Sequence, residues 1–264
     1  MRAGVVARGD ETTVSFSSSR WIESADRCPR ARLEDGVIHV WGFTLDESYD
    51  SVETARQWLD AVELTRASRF VRQDDQVRYV LAHGCLRAVL GRYVALDPAA
   101  VKFHSAPTGK PCLSVTGEHH NPLKFSLSHS HGLVLIAVGK HREVGADLEQ
   151  VRDEVDVVKL AERYYAPSER DSMVGPSGPE RVQRFFRYWV AKESVLKGQG
   201  VGLQLLTQCE VLATDHHLRA EILVSKGSTM HPGWTVQWLS CGSGWEAAVA
   251  AQGNSWTIRA MNAE

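Results

Sequence analysis

Apolar residues recur along this chain with two periods. Val77, Val80, Leu81, Gly84, Cys85, Ala88 and Val89 fall at i, i+3, i+4, i+7 and i+8, which places them on one stripe of a helix. The spacing predicts a helix over Asp74–Tyr93, with Asp74 or Asp75 as its cap. The segment GVIHVWGFTL (Gly36–Leu45) alternates instead and reads as a strand, and Ser51–Ala67 follows as a helix. KFSLSHS (124–130) and the apolar run GLVLIAVG (Gly132–Gly139) read as a strand pair, with a short strand over Val144–Leu148. A loop at Val174–Glu180 feeds a helix over about Arg181–Lys197. The tail holds four short strands, QCEVLA, LRAEILVS, WTVQWLS and GWEAAVAA, whose Trp234, Trp238 and Trp245 belong to a core. Helix and strand are mixed in both halves, which predicts an α+β fold. Residues 1 to about 30 show no period and read as a loose extension. The order of elements is loosely similar in the halves 31–141 and 142–264, which predicts two related lobes.

Composition narrows the function classes. A net charge of −2 leaves no global basic field for nucleic acid, so any anion-binding surface must be local. No apolar run approaches the ~20 residues of a membrane span. The N-terminus has too short an apolar core for a signal peptide. Five scattered cysteines with no CxxC point away from a disulfide framework or zinc knuckle, and towards a reducing cytoplasm.

The stretch Gly145-Ala-Asp-Leu-Glu149 places two carboxylates just past an apolar run. Acidic-x-acidic triplets arise several times by chance in such a composition, and most are solvated strand ends. On a strand, however, Asp147 and Glu149 point to one face about 7 Å apart, and hard oxygen ligands suit Mg²⁺ or Mn²⁺. Further on, Glu193 and Lys197 sit at i and i+4 of a helix and share a face. Gly198, Gly200 and Gly202 then stop that helix. Each pair taken alone is usually unremarkable. Ser128-His129-Ser130-His131 is too weak a pattern for a metal or hydrolase site, and His119-His120 reads as a surface loop.

Taken together, GADLE and Trp189-Val-Ala-Lys-Glu-Ser-Val-Leu-Lys197 resemble the Sfp-type (group II) 4′-phosphopantetheinyl transferases, whose motifs are G-[VI]-D-[VLI]-E and W-x-x-K-E-[SA]-x-x-K. Ala146 departs from the usual β-branched residue. Gly109-Lys110-Pro111 resembles the family's GKP turn, and Phe125–Ser130 its F-[NS]-[IL]-S-H-[ST] motif. Arg66, Arg69, Phe70, Asp74 and Arg78 look like its first coenzyme A segment. The resemblance covers about residues 60–205, and more loosely the rest of the C-terminal half.

The resemblance implies two similar lobes in a pseudo-twofold arrangement with the active site in the cleft between them. It implies transfer of the 4′-phosphopantetheine arm of coenzyme A to a serine of an apo acyl or peptidyl carrier protein, with release of adenosine 3′,5′-bisphosphate. Asp147, Glu149 and Glu193 would hold Mg²⁺, for which Mn²⁺ can substitute. Glu193, Lys197 and His129 would form the catalytic set, with Glu193 the proton acceptor and Lys197 a point charge on the leaving phosphate. Arg66, Arg69, Arg78, Lys110, Pro111, Ser128, His129 and Lys197 would bind coenzyme A. The loop around Tyr164–Arg184, with Arg163, Arg170, Arg181 and Arg184, would dock an acidic carrier. The protein is expected to act as a monomer. Two rival readings use the same residues: a metal-dependent hydrolase of the coenzyme A pyrophosphate, and a carrier-binding module without catalysis.

Overall fold

The structure is a computed structural model. It describes residues 11–20, 30–114, 122–213, 219–224 and 233–263, without the side chains of 213 and 219–224. His119 and His120 therefore lie outside the described residues.

Two sheets organise the chain. The first has the order β13-β3-β7-β6, from Thr257–Met261, Val37–Thr44, Leu133–Lys140 and Leu123–Ser130, with β2 (Phe16–Ser18) also paired to β3. The second has the order β8-β12-β11-β10-β9, from Val144–Gln150, Trp245–Gln252, Trp234–Ser240, Arg219–Val224 and Cys209–Ala213, with β1 (Thr12–Thr13) paired to β11. A hairpin of β4 (Lys102–Ser105) and β5 (Pro111–Ser114) stands apart. In each sheet one strand, β3 in the first and β8 in the second, is followed by a pair of short helices and one long helix. For the first these are α1 (Tyr49–Trp58), α2 (Ala61–Ala67) and the 22-residue α3 (Gln73–Val94). For the second they are α4 (Val157–Tyr164), α5 (Pro167–Asp171) and the 22-residue α6 (Gly178–Gln199). The α+β mixture expected from the hydrophobic periods is present.

Burial explains why these segments fold as they do. The stripe on α3 seats Val80, Leu81, Cys85, Leu86 and Val89 against Trp41, Phe43, Val134 and Ile136 of the first sheet. The core of the second sheet is formed by Val190, Val195 and Leu196 of α6 against Trp234, Val236 and Trp238.

Four expectations need correction. Ser51–Ala67 is two helices, because Asp60 stops one and caps the next. Its carboxylate accepts from Val62 N (2.9 Å) and Glu63 N (3.0 Å), while Glu63 accepts from Asp60 N (3.0 Å). The N-cap of α3 is Arg72, so Asp74 and Asp75 lie inside its first turn. Residues 11–20 are not loose: β1 lies parallel to β11, Val14 N donates to Ser240 O, and β2 lies parallel to β3. The strands are only two and three residues long, too short to show a period. Residues 1–10 and 21–29 of that expected extension lie outside the described residues. Finally, the half 142–264 is not self-contained, because β13 returns to pair with β3 of the first sheet.

The seam between the sheets positions the site. β6 and β8 are the facing edges, and the serines of β6 replace backbone pairing. Ala146 N donates to Ser126 Oγ (3.0 Å), Leu148 N to Ser128 Oγ (3.2 Å) and Gln150 N to Ser130 Oγ (3.5 Å). Serines at i, i+2 and i+4 of a strand share one face, so the S-x-S-x-S spacing itself makes this ladder. Helix α6 crosses β8 so closely that a Cβ on Gly145 would lie 1.8 Å from Ser194 O. Only glycine fits there.

Candidate active site

The seam brings the acidic residues of β8 and α6 together. Ser128 Oγ donates to Asp147 Oδ1 (2.9 Å), and Ser130 Oγ donates to Glu149 Oε2 (3.0 Å). Lys197 Nζ donates to Ser128 Oγ (3.0 Å) and to Asp147 Oδ1, and lies 3.7 Å from Glu193 Oε2. Asp147 is buried, and its Oδ2 has no hydrogen-bond partner among the described residues.

Electrostatics follow from this crowding. Burial, then the Asp147 charge, push the Glu193 carboxyl up to about 8. The same two causes raise Glu149. Burial would lower the Lys197 ammonium, but Asp147 and Glu193 raise it overall. Three carboxyl groups that repel one another, one with an unpartnered buried oxygen, are a donor set that suits a hard divalent cation. Among the described residues no three His, Cys, Asp or Glu side chains converge as a finished metal cage. Instead the Lys197 ammonium supplies the positive charge that the carboxylates share.

A cleft of ≈ 590 Å³ opens beside this cluster. One wall carries Ser128, His129 and Lys197, another the turn at Thr108–Pro111, and the third Arg66, Tyr79 and His83 from α2 and α3. Burial within these walls, then the charges of His83 and Lys197, hold the His129 imidazole down at about 4.

The cationic residues singled out in the sequence part company here. Arg66 lines the cleft, while Arg69 lies with Arg66 and Phe70 on a more open surface beside it. Arg78 is not among the cleft residues; it pairs with Glu47 (3.1 Å) and Asp75 (3.7 Å). Lys110 borders the cleft, but its ammonium donates to Glu143 Oε2 (2.9 Å), Val144 O (3.0 Å) and Gly198 O (2.7 Å). All three of its N–H groups are thus engaged, and they pin the turn to β8 and the end of α6. Of the docking arginines, Arg181 donates to Pro176 O and Arg184 to Ser172 O, while Arg163 and Arg170 are exposed.

Sequence reading missed two networks. Lys192, inside the second motif, is fully buried and donates to Glu169 Oε2 (2.6 Å). Arg87 is fully buried between Glu63 and Asp60, and Glu63 in turn accepts from His83. A charged residue at an apolar helix position was the only local signal of either.

Comparison with known proteins identifies the family. A model described as the 4′-phosphopantetheinyl transferase superfamily matches residues 143–250, and one described as 4′-phosphopantetheinyl transferase, N-terminal, matches residues 46–141. The chain is 33% identical to the 4′-phosphopantetheinyl transferase HetI of Nostoc sp. over 230 residues, 86% of this chain and 93% of that protein. It is 26% identical to the 4′-phosphopantetheinyl transferase Sfp of Bacillus subtilis over 170 residues, 64% of this chain and 73% of that one. With both motifs brought to one seam and both halves matched, the chain belongs to the 4′-phosphopantetheinyl transferase superfamily, enzymes that use coenzyme A to modify carrier proteins.

Proposed function

We propose that this cleft binds coenzyme A and passes its 4′-phosphopantetheine arm to a serine hydroxyl of an apo acyl or peptidyl carrier protein, releasing adenosine 3′,5′-bisphosphate. The observation that carries this reading is the contact of Lys197 with both Ser128 and Asp147, where the two sheets and α6 meet at the cleft wall.

Asp147, Glu149 and Glu193 would hold Mg²⁺ or Mn²⁺, which supplies positive charge to a pyrophosphate under attack. Lys197 offers a compact charge to the leaving phosphate. The proton that burial and Asp147 keep on Glu193 would be displaced on cation binding, and the freed carboxylate would have the role of acceptor for the hydroxyl proton. Ser128 and Ser130 orient the β8 carboxylates, and His129 and Arg66 face the substrate from the cleft walls. The carrier docks at the Tyr164–Arg184 side, where Arg163 and Arg170 are exposed to an acidic partner. The working unit is taken to be a monomer. Among the described residues no helix is long and apolar enough to cross a membrane, and the four described cysteines are free, which fits the cytoplasm.

Mass spectrometry of an apo carrier incubated with the protein, coenzyme A and Mg²⁺ tests the reading. One added phosphopantetheine per carrier is expected. Free phosphopantetheine with an unmodified carrier would replace it with the hydrolase reading.

A further inference from the structure

His83 is built as a ligand contact, although no motif points to it. Its Nδ1 lies 2.8 Å from Glu63 Oε1, and its ring stacks on Tyr79 with centroids 4.0 Å apart. Glu63 does not need this partner. Its other oxygen already accepts from Arg87 Nε (2.8 Å) and from Asp60 N (3.0 Å). Burial alone would raise the Glu63 carboxyl, but the hydrogen bonds from His83 and Arg87 hold it at about 2. Glu63 is therefore a fixed carboxylate, and His83 donates to it through Nδ1–H.

That tautomer leaves Nε2 as the imidazole's second polar atom. Nε2 takes no hydrogen bond among the described residues, and His83 lines the cleft next to Arg66 and Tyr79. A carboxylate behind an imidazole fixes its orientation. As the imidazolium, His83 donates from both ring nitrogens, to Glu63 through Nδ1 and to an arriving anion through Nε2 as a charge-assisted hydrogen bond. Arg87, fully buried, offsets one of the two carboxylate charges of Glu63 and Asp60, and the His83 imidazolium offsets the other, so no net negative charge stands behind the ring to repel such an anion.

The anion can be placed by its walls. The carboxylate cluster and Lys197 belong to β8 and α6, whereas Arg66 and His83 belong to α2 and α3. Coenzyme A carries, besides its pyrophosphate, a separate phosphate on the ribose 3′ oxygen. We propose that His83, oriented by the Glu63–Arg87 pair, joins Arg66 in binding that 3′-phosphate, in place of Arg78 and Lys110. This inference rests on the reading of the cleft as the coenzyme A site.

Direct binding separates the two. Titration calorimetry with adenosine 3′,5′-bisphosphate and with adenosine 5′-monophosphate measures the preference for the 3′-phosphate without any carrier. His83→Ala is expected to shrink that preference about tenfold or more, leaving the monophosphate affinity near wild type. His83→Gln, which keeps a donor for Glu63, repeats the test if the alanine variant does not fold. An unchanged preference in a folded variant, or an equal loss for both nucleotides, overturns the assignment. If the preference shrinks but the wild-type protein never modifies a carrier, His83 stands as a phosphate contact and the transfer reading falls.

Discussion

Lys192 donates to Glu169 at 2.6 Å with both side chains fully buried, one residue before Glu193. Glu169 also accepts from Ala166 N (2.8 Å) and Val211 N (2.8 Å), so one carboxylate ties α5 and β9 to α6. The side of the molecule assigned to the carrier is thereby locked to the helix that bears Glu193 and Lys197.

Breaking such a pair leaves a charge without a partner in the core. Lys192→Met should lower stability by about 3–5 kcal/mol, measured by urea unfolding. The double variant Lys192→Met, Glu169→Gln should lose less than the two single losses combined, because neither charge is then stranded. Additive losses would mean that the two residues do not act as a pair.

Gly145 is a steric requirement. A Cβ there would meet Ser194 O at 1.8 Å and Gly198 N at 2.5 Å, both backbone atoms that cannot swing aside. Gly145→Ala should cost at least the upper end of the usual 1–3 kcal/mol for overpacking, read from the thermal midpoint. Because α6 must retreat from β8, activity should fall with it. A wild-type midpoint would show that α6 does not approach β8 this closely.

Among the cations, the kinetics should divide as the geometry does. Arg66→Ala is expected to raise KM for coenzyme A roughly tenfold or more, the loss of a charge-assisted contact. Arg78→Ala should leave KM unchanged and cost no more than about 1 kcal/mol of stability, since its ion pairs are half-exposed. Equal KM effects from the two would refute the placement of the 3′-phosphate beside Arg66 and away from Arg78.

The carboxylate cluster gives a pH signature. Glu193 and Glu149 hold protons in the fold that the unfolded chain has released, since both are raised from ordinary glutamate values. Their contribution to stability is fully present below about pH 4.5 and is lost as pH rises towards 8. A cation must displace those protons. The rise in thermal midpoint on adding Mg²⁺ should therefore be larger at pH 8 than at pH 6. It should shrink in Asp147→Asn, and an increment independent of pH would remove these residues from the metal site.

Replacing Glu193 separates ligand from base. Glu193→Gln keeps an oxygen but cannot accept a proton, so kcat should drop roughly 10²–10⁴-fold and stay low at saturating Mg²⁺. Recovery at high Mg²⁺ would reduce Glu193 to a ligand.

Local pattern carried much of this architecture. The helix expected over Asp74–Tyr93 spans Gln73–Val94, and the strand expected over Gly36–Leu45 spans Val37–Thr44. Those elements are long and periodic, so burial on one face writes itself into the sequence. The strand of β13 was not foreseen, because its TIRAM stretch is short and only half-buried. Site geometry was legible where the motif residues share one element, as with Asp147 and Glu149. It was not legible where function depends on distant partners. Lys110 reads as a free cation in a turn, yet its ammonium is consumed by Glu143, Val144 and Gly198. Glu63, His83 and Arg87 look like ordinary helix charges until α2 and α3 are packed together.

The outer edge of β3 has a further consequence, in the order of synthesis. β2 covers that edge along Gly42–Thr44, and β13 covers it along Val37–Trp41. More than 200 residues separate β3 from β13. A nascent chain that has made its first sheet must therefore leave the Val37–Trp41 stretch of that edge unpaired while the rest of the second sheet is translated. Such an edge is a template for pairing with another chain. The late, long-range closure also slows folding, because its loop entropy is met before its contacts form. Ribosome pausing or C-terminal truncation before Thr257 would then turn a maturation enzyme into an aggregation nucleus, with every residue of the carboxylate cluster already in place.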